Sequence, residues 1–234
     1  MDAPKVDGWY RWASTLLLAP RCLVCRERGA NGVDLCTSCR EQLPWNRSSC
    51  RRCGLPMPDP DECGDCLRRS PALTHTRAVF IYGFPLDRLI PRFKFHRDLA
   101  AGRLMAELMA SALESTSRPD AIVPVPLHAR RMRERGYDQA LELARPLAAA
   151  LGLPLRSDLL QRVRATAPQS ELDAGQRQRN LAKAFAARNE ATPLRHVALV
   201  DDVMTTGATV EAAARALRGA GVQRVDAWVC ARAP

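Results

Sequence analysis

The apolar positions of the chain follow a regular pattern from about residue 72 onward, in which short hydrophobic runs alternate with amphipathic stretches. Val79–Tyr82, Ala121–Val125, Val197–Val200 and Val222–Val229 are each predicted as strands, rich in β-branched residues. Between them, Asp98–Glu114 gathers Leu99, Leu104, Met105, Leu108 and Met109 at helical spacing. Gln139–Leu151 is expected to be a helix interrupted or bent at Pro146, and Gly175–Phe185 and Thr209–Gly219 are predicted as two more. Alternation of this kind predicts an α/β fold, a mostly parallel sheet flanked by helices on both faces.

The stretch before residue 72 is different. Trp9, Trp12, Thr15, Leu16 and Leu17 fall on one face of a short helix within residues 1–21. Four CxxC pairs follow, Cys22/Cys25, Cys36/Cys39, Cys50/Cys53 and Cys63/Cys66, separated by ten, ten and nine residues. Each CxxC turn aims two thiolates at one ion, and two turns complete a tetrahedral Cys₄ shell, the chemistry of structural Zn²⁺. The intervening segments suit hairpins. Sequential pairing gives two ribbons, Cys22–Cys39 and Cys50–Cys66; interleaved pairing stays open, as do redox-active dithiols or disulfides. A segment this small buries too little to fold alone, so two bound zinc ions would supply its folding energy. The expected organisation is a helix over 1–21, a double zinc ribbon over 22–72, and an α/β domain over 73–234, with the boundary near residues 69–74.

The formal net charge is +10, from 35 Lys and Arg against 25 Asp and Glu. Eight thiolates and two Zn²⁺ would lower it to about +6, still favouring phosphate-bearing partners. Aromatic residues make up only 5% of the chain, which argues against a nucleic-acid surface built on rows of stacked rings. No apolar run approaches the ~20 residues of a membrane span. With no secretory pattern and many thiols, a cytoplasmic location is expected.

Val197–Val200 runs into Asp201-Asp202-Val203-Met204-Thr205-Thr206-Gly207-Ala208-Thr209. Ligands of open α/β sheets bind beyond the strand carboxyl ends. Thr205, Thr206, Gly207, Ala208 and Thr209 open a helix whose N-terminal N–H groups suit a phosphate, and the hydroxyls add donors. Asp201 and Asp202 suit the two hydroxyls of a ribose. A second basic region, Arg130, Arg131, Arg133 and Arg135, follows the Pro124-Val125-Pro126 stretch and reads as a loop, with Gly136 allowing Arg135 to turn inward. Residues 162–179 are polar and arginine-rich, and read as a lid over a diphosphate or as a surface loop for DNA phosphates. Lys94, after Phe93 in a helix-like segment, reads as a surface lysine, with charge added to the site as the alternative, and Cys230 reads as a small buried apolar residue.

Val197–Thr209 resembles the phosphoribosyl-pyrophosphate (PRPP) motif of type I phosphoribosyltransferases. The whole chain more narrowly resembles the ComF family, through its CxxC series, Ile122-Val123-Pro124-Val125-Pro126-Leu127, Arg135-Gly136-Tyr137-Asp138-Gln139-Ala140 and the Gln169…Arg177…Arg179-Asn180…Phe185 stretch. Asp138 departs from the asparagine usual at that position. The resemblance implies a type I phosphoribosyltransferase-like domain with PRPP and Mg²⁺ as ligands. Asp201 and Asp202 would then hold the ribose, Thr205–Thr209 the 5-phosphate, and the loop containing Val123, Pro124, Val125 and Arg135 the pyrophosphate. It also implies a part in natural transformation, with single-stranded DNA and competence-machinery proteins as partners. The alternative is an active phosphoribosyltransferase of nucleotide metabolism without direct DNA contact. No residue stands out as a catalytic base.

Metal analysis of the purified chain is expected to find about two zinc ions per molecule, and one ion or none would contradict the paired Cys₄ arrangement.

Overall fold

The computed structural model describes residues 20–59, 61–163, 184–188 and 194–234. The chain divides into two compact units, one ending at Leu43 and one running from Pro44 to Pro234. The first unit holds the short helix α1 (Thr37–Glu41) beside the first cysteine cluster. Among its described residues, Cys22, Leu35, Cys39 and Leu43 are buried. The expected helix over 1–21 lies outside the described residues apart from its last two positions.

The second unit contains the second cysteine cluster with α2 (Gly64–Arg69), followed by the α/β domain. Its chain order is β1 (His75–Ile81), α3 (Leu86–His96), α4 (Leu99–Leu113), β2 (Ala121–Pro124), α5 (Ala129–Arg135), α6 (Gln139–Leu151), β3 (Leu160–Arg162), β4 (Phe185–Ala187), β5 (His196–Met204), α7 (Ala208–Gly219) and β6 (Arg224–Arg232). Four strands form one parallel sheet in the order β1-β6-β5-β2, as the alternating pattern predicted, and β3 pairs antiparallel with β4 apart from it.

Central strand β5 explains why the sheet is covered on both faces. Val197, Ala198, Leu199 and Val200 are all fully buried, which a strand achieves only when side chains on both sides have neighbours. Val197 and Leu199 join Val210, Ala213, Ala214 and Leu217 of α7 and Leu160 and Phe185 of the β3-β4 pair in one apolar cluster. Helix α6 packs against α4 and against β2 and β5. Alternation of side chains along β5 assigns α6 to the other face.

The sequence pattern located most elements and missed some. Helix α6 runs through Pro146 without interruption, capped by Asp138, whose carboxylate accepts from Leu141 N at 3.1 Å, and closed by Gly152 at φ 60°. The arginine cluster forms helix α5 where a loop was expected. Of the helix expected over 175–185, residues 175–183 lie outside the described residues; Phe185 is in strand β4, opposite Arg162. Helix α3 was anticipated only as a helix-like segment around Phe93 and Lys94, without bounds. It buries Leu86, Leu89, Ile90 and Phe93 while its other face stays polar.

The seating of α3 depends on a glycine in α4. The Phe93 ring packs where a side chain on Gly102 would stand, with Phe93 Cε2 at 2.5 Å from an ideal Cβ. Phe93 also meets Tyr137 edge-on, with ring centroids 6.0 Å apart. Because the ring is fully buried it cannot swing aside. Gly102→Ala is therefore expected to destabilise the fold by about 1–3 kcal/mol through overpacking, despite alanine's better helix propensity. Urea unfolding would measure this, and a stabilised variant would contradict the packing account.

Candidate functional site

Asp201 and Asp202 lie within β5, which continues to Met204 and does not stop at Val200 as the apolar run suggested. The reason is the neighbouring strand: β6 runs on to Arg232, so Asp201, Val203 and Met204 still have backbone partners in Val229, Ala231 and Arg232. After Met204 the chain turns through Thr205, Thr206 and Gly207 into α7. Gly207 has φ 76°, a conformation that favours glycine, and a Cβ there would also have to displace the end of the Met204 side chain, 2.4 Å away. Ala208 N donates to Thr206 Oγ1 at 3.4 Å. Thr205 and Thr206 are exposed at the N-terminus of a twelve-residue helix, where backbone N–H groups and the helix dipole favour an anion.

The acidic pair is held by its own backbone and by one lysine. Asp201 Oδ1 accepts from Asp202 N at 2.9 Å, and Asp202 Oδ1 from Val203 N at 2.6 Å. Lys94 of α3 places Nζ 2.9 Å from Asp202 Oδ1, with the two side chains only 22% and 7% exposed. Lys94 is thus not the surface lysine that its sequence context suggested. Burial, and then the neighbouring charge of Asp202, push the Asp201 carboxyl from its ordinary 3.8 up to about 7, against the opposing pull of Lys94 and the Asp202 N–H. Arg162 of β3 is electrostatically coupled to Asp201, and its guanidinium lies 5.4 Å over the Phe185 ring. The remainder of the lid expected over 162–179, from residue 164 on, lies outside the described residues.

The segment after β2 is tied to the same end of the sheet. Val125 N donates to Val200 O at 2.9 Å, and Leu127 N to Asp138 Oδ2 at 3.0 Å. Asp138 therefore caps α6 and anchors this loop with one carboxylate, a positioning role that the sequence did not reveal. Burial pushes its pKa up, offset in part by the N–H donors of Leu127, Leu141 and Ala140. Val123 and Val125 direct their side chains into the apolar cluster on the α7 side, so they can offer a ligand only backbone. Arg135 donates to Gln139 Oε1 at 2.9 Å and stands 5.4 Å over the exposed Phe95 ring.

The eight cysteines of the CxxC pairs form two sets in sequential pairing: Cys22, Cys25, Cys36 and Cys39, and Cys50, Cys53, Cys63 and Cys66, with the sulfurs of each set all within 4.8 Å of one another. Cys25–Cys36 and Cys53–Cys63 Sγ distances are 3.6 and 3.7 Å. Zn–S bonds of ~2.3 Å place tetrahedral ligands ~3.8 Å apart, so both sets fit zinc. Burial opposes ionisation of Cys22 and Cys50, but backbone N–H donors outweigh it and bring these thiols to about 6 and about 7. Burial instead pushes Cys39 and Cys66 well up, so four thiolates this close need a cation among them. The second CxxC of each set lies at the start of a short helix, α1 or α2.

Buried Arg232 joins the second cluster to β5, donating from Nε to Cys53 O at 3.1 Å and from Nη1 to Met204 O at 3.3 Å. Gly54 of that cluster's first turn sits against β1, where a Cβ would lie 3.0 Å from Thr76 Cγ2. Cys230 is fully buried in β6, an apolar packing residue as expected.

Comparison with known proteins separates the cysteine-rich region from the α/β domain. Residues 13–67 match the double zinc ribbon domain, and residues 95–234 the phosphoribosyl transferase domain. The chain is 37% identical to "Competence protein F" of Haemophilus influenzae, over 91% of this chain and 97% of that protein. The chain belongs to the ComF family. Other ComF relatives include "DNA utilization protein YhgH" of Salmonella typhimurium, 39% identical over 85% of this chain and 90% of that one. "Competence protein ComFC" of Bacillus subtilis is 30% identical over 78% of this chain and 77% of the relative. In this ComF chain Lys94 falls just ahead of the matched phosphoribosyl transferase region. The available signal for it was its place beside Ile90 and Phe93 on an amphipathic helix directly after a strand.

The raised pKa of Asp201 has a consequence for stability. The native site retains a proton that the unfolded chain has released, so this group favours folding below about pH 4, and the contribution is lost as pH rises through about 7. Asp201→Asn removes that dependence. Thermal melts between about pH 5 and pH 8 are expected to show the variant gaining on wild type as pH rises, whereas a constant difference would contradict the burial of this carboxyl.

Proposed function

We propose that this chain binds PRPP with Mg²⁺ at the carboxyl end of β5 and acts in the cytoplasm in DNA uptake during natural transformation. The observation that carries the ligand reading is the continuous strand–turn–helix from Asp201 to Thr209, in which two carboxylates precede an anion-accepting helix N-terminus. In this reading Asp201 and Asp202 accept hydrogen bonds from the ribose hydroxyls. The 5-phosphate lies against Thr205, Thr206, Gly207, Ala208 and Thr209. The diphosphate extends toward the loop after β2, where backbone groups of Val123 and Val125, with Pro124 between them, and Arg135 border it.

Mg²⁺ would enter with the diphosphate, neutralising charge that three nearby carboxylates, Asp201, Asp202 and Asp138, would otherwise repel. Such a site suits glycosyl transfer, in which an acceptor nitrogen forms the new bond to ribose and pyrophosphate leaves. The role in transformation is supported by relatives named for competence and for DNA utilization that span most of the chain. The net charge of +10 suits contact with single-stranded DNA.

Calorimetric titration with PRPP and Mg²⁺ tests the ligand. Wild type is expected to bind, and the doubly substituted Asp201→Asn/Asp202→Asn protein to lose at least ~10-fold in affinity. The same double variant is expected to lower transformation frequency in a naturally competent host. Absence of PRPP binding by the zinc-loaded wild type would overturn the assignment.

A further inference from the structure

The ion pair between Lys94 and Asp202 has no explanation in folding alone. Three features fix the aim of this lysine. Helix α3 buries Leu86, Leu89, Ile90 and Phe93, the Phe93 ring is locked over Gly102, and α3 ends at Arg97 in a left-handed conformation with φ 54°. Lys94 is thereby presented to the acidic pair with its stem largely covered and Nζ at 2.9 Å from Asp202 Oδ1. A partly buried ion pair carries a desolvation cost that its attraction scarcely repays, so as a stabilising device it is weak. It has value where the lysine is needed at that place for another partner.

The two ends of a ribose bearing phosphate at both positions are served unequally. The 5-phosphate meets the N-terminus of α7 and its threonines. On the opposite side, Val123 and Val125 turn their side chains into the core, and the guanidinium of Arg135 is engaged by Gln139 and Phe95. Asp201 and Asp138 add negative charge around Asp202. Among the described residues, Lys94 is the cation that pairs with Asp202, and its flexible four-carbon stem allows the ammonium to move by the few ångströms between adjacent partners.

Building on the PRPP reading, we propose that Lys94 determines specificity for the diphosphate arm. In the structure it neutralises Asp202. When ribose hydroxyls donate to Asp202 in its place, Nζ exchanges to an oxygen of the 1-diphosphate, so the charge freed by sugar binding is delivered to the leaving group. The lysine thereby makes a ribose phosphate with an anionic group at position 1 the preferred ligand over one without it.

The test is a pair of titrations on the full, zinc-loaded chain at constant Mg²⁺, one with PRPP and one with ribose 5-phosphate. Lys94→Met is expected to weaken PRPP binding by ~10- to 100-fold without weakening ribose 5-phosphate binding, because the sugar displaces Lys94 from Asp202 in either ligand, and Lys94→Arg to recover part of the loss. Equal losses for both ligands would make Lys94 a general support of the site and overturn the proposal, as would no loss for PRPP. Lys94→Gln, which retains a polar head to face Asp202, gives the same comparison should the methionine variant fold poorly. Wild type binding neither ligand would overturn the PRPP reading itself. Wild type binding both equally would leave that reading standing and overturn only the role of Lys94.

Discussion

The double-sided burial of β5 is the constraint on which the rest of the molecule depends. Val197–Val200 are completely enclosed between β2 and β6 within the sheet and between helical layers above and below. A slip of one residue would exchange the two faces of the strand and drag a carboxylate toward the core, so the register is tightly specified. That register places Asp201 and Asp202 where the apolar enclosure ends but the ladder to β6 continues. The carboxylates are consequently held by a rigid backbone rather than by a loop, and the turn into α7 starts from a fixed point. Positioning of this kind is what a binding site needs from its scaffold.

Burying the acidic pair at that edge creates a charge problem, and the structure answers it with groups from distant parts of the sequence. Lys94 arrives from α3, Arg162 from β3, and Asp138 holds the adjoining loop while capping α6. Replacing any one of them alters both local packing and the electrostatics of the pair. The packing of Phe93 on Gly102 is the mechanical reason that the lysine stands beside the acidic pair.

The two cysteine clusters share one ligand geometry but stand in different relations to the rest of the chain. The first lies in the unit ending at Leu43, where Cys22 and Cys39 are themselves buried beside Leu35 and Leu43, so a bound metal would tie that packing together. The second is built into the unit that carries the α/β domain. Arg232 bonds the carbonyl of one of its cysteines and the carbonyl of Met204, the residue before the turn into α7. A closed Cys₄ shell has no open coordination position, so what its metal offers is rigidity, and in the second cluster this rigidity reaches the end of β5.

Local spacing was enough to determine the parallel α/β class, the sites of most strands, the cysteines of the two Cys₄ sets and the strand–turn–helix course of Asp201–Thr209. Each of these rests on interactions between residues close in the chain: a strand with its own alternation, a CxxC turn with its own two thiols, a strand end with the helix it leads into. The tertiary structure decided what depends on long-range neighbours. It extended β5 past Val200 because β6 supplies partners there, paired the clusters sequentially, made Phe185 a strand residue opposite Arg162, and turned the arginine loop into α5. Above all it brought Lys94 to Asp202 across more than a hundred residues of chain. No periodicity records that encounter, because it is set by how one buried phenylalanine fits against a glycine on another helix.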